Sequence, residues 1–172
     1  NPKSGWGKIG DLSLDAKQLA IMFLTPLAAI IGFSSIIGGV IWSHYGVFNL
    51  VVKGIALGAE YMGTILLAYY ILSKLISSFE AKDENFNLLK LTLFSFVPVF
   101  IFGSLAFLVS PLSYLFNILC LTAIYYYWQG ALRLIGITEE RAVGFVFLSL
   151  IIIAAALAVS MLFIGGFFSI FL

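Results

Sequence analysis

An all-α bundle of membrane-spanning helices is the fold class this sequence predicts, and three observations predict it. Of its 172 residues, 62% are hydrophobic and only 10% charged, whereas soluble domains are roughly one-half apolar and one-quarter charged. Mean hydropathy is +1.13. The apolar residues also fall in long uninterrupted runs, without the alternation over about 10 residues that a membrane β-barrel strand needs.

Each element follows in chain order. Residues 1–18 mix Trp6, Ile9, Leu12 and Leu14 with Lys3, Lys8, Asp11, Asp15 and Lys17, which suits either a short N-terminal segment lying at the cytoplasmic interface or a partly ordered tail. Residues 19–172 form the transmembrane domain. A spanning helix needs about 20 mostly apolar residues, and cutting wherever charge, Gly/Pro or amide clusters interrupt gives five spans, at about 19–42, 54–73, 88–109, 112–134 and 142–171. The first run is too long for a signal peptide and lacks a small-residue cleavage site. Ser110-Pro111 makes the third and fourth spans a hairpin, since proline favours a turn. The last run, about 30 residues at 1.5 Å each, exceeds a hydrocarbon core of about 30 Å, so it must tilt, bend or protrude. Gly165-Gly166 is its cheapest place for a bend or an early end.

Orientation follows from the basic residues. Lys3, Lys8, Lys17, Lys74, Lys82, Lys90, Arg133 and Arg141 flank one side, and Lys53 alone flanks the other. Basic residues near span ends stay in the cytoplasm, so the N-terminus is expected inside and the C-terminus outside. The near-balance of nine basic against eight acidic residues leaves a net charge of +1. There is no basic stripe to neutralise phosphates, and nucleic acid is not an expected partner.

Chemistry-bearing residues are few. Glu60 is the only charge these boundaries place well inside a span, about six residues or roughly 9 Å below its outer end. A charge at membrane depth costs at least about 2.5 kcal/mol, so Glu60 should face protein, water or a partner. Thr64 shares its helical face. Ser34, Ser35, Ser104, Asn117 and Ser160 fall at similar depth on the other spans, which predicts an outer polar cluster around Glu60. The competing expectation has each serine close onto its own helix backbone. Gln129 and Arg133 end a second polar stripe, with Thr122 and Tyr126, near the cytoplasmic end of the fourth span. Beside it, Tyr125-Tyr126-Tyr127-Trp128 reads as an interfacial aromatic belt. The connection containing Glu80, Lys82, Asp83 and Glu84 is either a solvated loop or a docking surface for a cytoplasmic protein. Thr138 is placed to cap the last helix, with Glu139 and Glu140 in its first turn.

Small-residue pairs, Gly54 with Gly58, Ala59 with Gly63, Ser35 with Gly39 and Ala154 with Ala158, predict close helix contacts. They leave homo-oligomerisation open. His44 and Cys120 stand alone, without metal-ligand spacing, and no phosphate loop, nucleophile elbow or zinc-protease helix occurs. Neither a cofactor, a metal nor catalysis is expected.

Three local matches, in order along the chain, carry a family resemblance. Asn1-Pro2-Lys3-Ser4-Gly5-Trp6, the aromatic-x-Pro step Phe96-Val97-Pro98, and Tyr127-Trp128-Gln129-Gly130 followed by residues 134–142 resemble the corresponding features of prokaryotic Yip-domain proteins. The resemblance spans essentially the whole chain. It implies a five-span membrane fold and relatedness to proteins that interact with Rab-type GTPases. Asp11-Leu12 is followed by Ser13-Leu14 rather than by the Tyr-Gly-Pro of the eukaryotic branch, so GTPase binding itself is not implied. Sequence and resemblance together predict a non-enzymatic membrane organiser or adaptor acting through cytoplasmic loops. The alternative is a small transporter, channel or lipid-handling protein that uses Glu60.

Overall fold

The computed structural model describes residues 2–81 and 83–171, with the side chains of all of these except 2–4 and 85. Asn1, Lys82 and Leu172 lie outside the described residues. Every element is helical. A short helix α1 spans Pro2–Gly10. Among the described residues, four helices are long and apolar enough to cross a membrane: α2 (Ala16–Trp42), α3 (Val47–Phe79), α4 (Asn87–Leu108) and α7 (Glu139–Ser169). The expected fourth span, 112–134, is not one of them, because it is broken into shorter helices. Between α4 and α7 the chain forms α5 (Ser113–Cys120) and α6 (Thr122–Gly130), and α6 continues through a π turn, Ala131–Ile135.

The irregularities have local causes. Pro26 has no N–H to give the carbonyl one turn back, and the helix widens there into a π turn, Ala20–Leu24. The Thr25 hydroxyl donates to the Ala20 carbonyl at 2.9 Å. Pro98 acts likewise on Phe94, and α4 breaks at Phe96, whose N–H turns back to Leu93 at 3.2 Å. At Leu121 the helix tightens onto Ile118 at 3.0 Å. There the Thr122 hydroxyl takes the Leu119 carbonyl at 2.7 Å, competing with the helical ladder. Gly136, at φ +71°, ends the π turn of α6 in the left-handed region that glycine adopts without strain.

Helix α3 is central, packed on α2 along one flank and on α7 along another. The break in α4 changes its neighbours. Before Phe96 it lies against α3 and α6, and after it against α2 and α5. Glycines set the α2 spacing: a Cβ on Gly32 would fall 2.7 Å from the Gly54 carbonyl, and one on Gly58 would fall 3.0 Å from that of Ala28. On Gly38 it would collide with the Phe107 carbonyl. Ala154 and Ala158 instead face outward and hold no helix.

Several expected boundaries move. Helix α3 starts at Val47, seven residues before the expected 54. Lys53 does not end the span, because its ammonium folds back over the Tyr45 ring, 3.8 Å from the centroid, while the stem stays along the helix. The last helix does not end at Gly165-Gly166. A π turn, Met161–Gly165, leads straight into a further helical turn. Thr138 occupies the N-cap position of α7, but its side chain makes no capping bond. Its carbonyl accepts from Arg141 and Ala142 at 3.0 and 2.9 Å.

Candidate functional site

The most highly organised polar site lies where α1 meets the bundle. Trp6, expected at an interface, is only 3% exposed. Its indole fills a notch at Gly130 of α6, where an added Cβ would lie 2.7 and 2.9 Å from Cζ2 and Cε2. Beside it Lys90 is fully buried. Its Nζ donates to the Gly10 carbonyl at 3.2 Å and to Asn87 Oδ1 at 3.3 Å. Gly10 ends α1, where helix carbonyls lack partners and the dipole favours a cation. Asn87 in turn donates through Nδ2 to the Leu134 carbonyl at 3.2 Å. Asp83 and Asp11 supply negative charge near the ammonium. Lys90 thus fastens α1 to α4, a role hidden by counting it as a loop cation. Its position inside the apolar run Leu88 to Leu93 was the available signal.

The expected partner connection is only partly a free surface. Asp83 accepts from the Leu88 N–H at 2.8 Å, closing the first turn of α4, and faces the Tyr69 hydroxyl. Glu80, in the left-handed conformation at φ 56°, pairs with Arg141 at 2.7 Å. Glu84 is exposed, and Lys82 lies outside the described residues. Gln129 is half-buried at the end of α6, and Arg133 is exposed on the π turn that follows.

Glu60 is the fourteenth residue of α3 counted from Val47, roughly 20 Å along the helix from its start. Its carboxylate packs at the crossing with α7, where a Cβ on Gly165 would lie 2.6 Å from Oε1. One turn along, Gly63 leaves room for the buried Ser160, whose Oγ would be 3.1 Å from an added Cβ. Thr64 lies on the same face, but its hydroxyl donates to the Glu60 backbone carbonyl at 2.7 Å. Ser104 likewise donates to its own helix, at the Phe100 carbonyl, 2.6 Å away. Asn117 is exposed on α5, and Ser35 lines a separate 250 Å³ cleft with Lys53. Thr64 and Ser104 are thus bonded to their own helix backbones, while the Glu60 carboxylate is set against Gly165 of α7.

The aromatic run of α6 is divided by its helical phase. Tyr125 and Tyr126 are exposed, whereas Tyr127 is fully buried and stacked near Phe145 of α7, 6.2 Å between centroids. The Tyr127 hydroxyl faces Ser149 and Thr92. Neither contact has good hydrogen-bond geometry, and Tyr127 OH, Ser95 Oγ and Ser149 Oγ are unsatisfied. Sequence reasoning missed this group because serine and tyrosine in apolar helices give no spacing signal.

A pocket of about 670 Å³ opens between α1, α4 and α6. Gly5, Trp6 and Ile9 form its α1 wall, Phe94, Pro98 and Ile101 the α4 wall, and Thr122, Tyr125 and Tyr126 the α6 wall. Both helix breaks, at Phe96 and Leu121, adjoin it. No protein-family model matches this chain, and neither does any curated protein or any solved structure.

Proposed function

We propose that this chain is a five-span membrane protein of the Yip type, with α1 and the 80–90 connection in the cytoplasm. It acts without catalysis, as a membrane organiser or adaptor whose docking surface is that end of the bundle. In this reading α5 and α6, with the π turn, are one bent span. Its 23 residues from Ser113 to Ile135 reach about 35 Å at helical rise.

One observation carries the proposal. Among the described residues, every charged one except Lys53 and Glu60 belongs to α1, to the connections beside it or to the helix turns that abut them. That end is also held rigid by Lys90 and by the docked Trp6, so it presents a defined surface to a soluble partner. The test is capture of interaction partners from native membranes with the intact protein and with Glu80→Lys/Glu84→Lys. Selective loss of a soluble partner in the variant supports the adaptor. Identical recoveries, or cysteine labelling that finds position 84 and position 114 on the same side, refute it.

The second reading is a small transporter, channel or lipid-handling protein. It is favoured by the Glu60 carboxylate lying against Gly165, the last residue of a π turn, since such turns often occur at functional sites. Solute or lipid flux in reconstituted vesicles that vanishes with Glu60→Gln would replace the adaptor by this reading.

A further inference from the structure

We infer that the pocket between α1, α4 and α6 holds one acyl chain of an anionic phospholipid, with the headgroup phosphate beside Lys8. The inference rests on the bilayer placement of the chain and is independent of the adaptor reading. At 670 Å³ the space falls within the roughly 300–1,000 Å³ of small-molecule sites. It persists for a structural reason. Pro98 interrupts α4, and Thr122 follows the break between α5 and α6, at neighbouring points, so the walls part where two straight helices would close.

The lining selects hydrocarbon. Among the described residues no charged side chain contributes to it, and the hydroxyls are those of Thr122, Tyr125 and Tyr126. The Thr122 hydroxyl is already committed to the Leu119 carbonyl. Trp6 and Ile9 give apolar surface on the α1 side, and Ile101 and Tyr125, 48% and 54% exposed, stand at the lateral opening. A side opening between spanning helices faces acyl chains.

The mouth selects the headgroup. An added Cβ at Gly5 would meet nothing within 4 Å, so the α1 wall is open there. Lys8, three residues on, is its neighbour on the helix surface and is exposed. Asp11, the next acid along the chain, lies near Lys90. A phosphate at the α1 level therefore meets a lysine while its chain enters past Gly5.

Trp6 reports occupancy, because it lines the pocket but is only 3% exposed and so is shielded from lipid outside. A protein retaining Trp6 as its only tryptophan (Trp42→Phe/Trp128→Phe) is reconstituted in vesicles containing phosphatidylglycerol or phosphatidylcholine with brominated chains. A Trp42-only protein serves as control. Brominated phosphatidylglycerol is expected to quench Trp6 at about fivefold lower mole fraction than the choline lipid, from one lysine at the surface. Lys8→Gln should erase that preference, and Gly5→Leu, which fills the mouth, should abolish quenching. Native mass spectrometry of the unmodified protein should retain one phosphatidylglycerol per chain. Equal quenching by both lipids that ignores Gly5→Leu means ordinary boundary contact and overturns the proposal. A silent Trp6 beside a quenched Trp42 overturns it with bilayer placement intact. Silence from both removes bilayer placement and the proposal together.

Discussion

Gly130→Ala tests whether α1 is held by a shaped notch or merely rests on the bundle. The new methyl would stand 2.7 and 2.9 Å from the Trp6 ring, against an optimum of about 3.5–4.0 Å between carbons. The ring must retreat by nearly 1 Å. Leu91 also meets the new carbon, but through the end of a flexible side chain. Trp6 is rigid and 3% exposed, so the ring can retreat only by giving up the contacts that bury it and moving toward the pocket it lines. Overpacking of this kind costs about 1–3 kcal/mol, offset by about 1 kcal/mol from the better helix propensity of alanine. A net loss of about 1 kcal/mol in α1 docking raises the open population about fivefold. Tryptic cleavage after Lys8 reads that population directly, provided reclosing outpaces cleavage. In the Trp6→Ala background, Gly130→Ala should be harmless, because the two effects share one contact and are not additive. An unchanged cleavage rate in Gly130→Ala, or the same rise with and without Trp6, would refute the notch.

Other consequences are equally direct. Lys90→Met keeps the stem but removes the bonds to Gly10 and Asn87. Charge-assisted bonds are worth about 1.5–3 kcal/mol, so α1 amides should exchange at least tenfold faster by hydrogen-exchange mass spectrometry. Gly32→Ala presses a methyl onto the Gly54 backbone carbonyl at 2.7 Å. Backbone cannot yield as a side chain can, so thermal unfolding in detergent should fall by more than for Gly130→Ala. Tyr127→Phe removes an unsatisfied buried hydroxyl and keeps the ring near Phe145. Stability should hold or rise by about 1 kcal/mol, and a clear loss would show that the hydroxyl has a partner. Glu80→Gln breaks an ion pair whose side chains are 75% and 42% exposed, and should cost at most about 1 kcal/mol in a double-mutant cycle with Arg141.

The sequence resolved some parts of the site and not others, and particular residues show why. Glu60 was visible, since a carboxylate in an apolar run has few innocuous explanations. The start of α3 was misplaced because Lys53 looked like a loop residue, although a lysine stem can lie along a helix with its head at the surface. The groups beside Glu60 depend on helix rotation: Thr64 and Ser104 close onto their own helix backbones, and the Glu60 carboxylate meets Gly165 of α7. Lys90 was visible as a charge but assigned to the loop, because burial depends on α1 covering it, and α1 is eighty residues away in the chain.

Composition and the length of the apolar runs determined the helical class and the membrane setting by themselves. Solvent preference acts residue by residue and sums along a segment. Ser110-Pro111 likewise marked the turn between α4 and α5, because the backbone restriction of proline is local. The Trp6 notch, the buried Lys90, the neighbours of Glu60 and the pocket beside α1 came only from tertiary structure. Each joins residues far apart in the chain, through helix rotation and close approach that no single segment encodes.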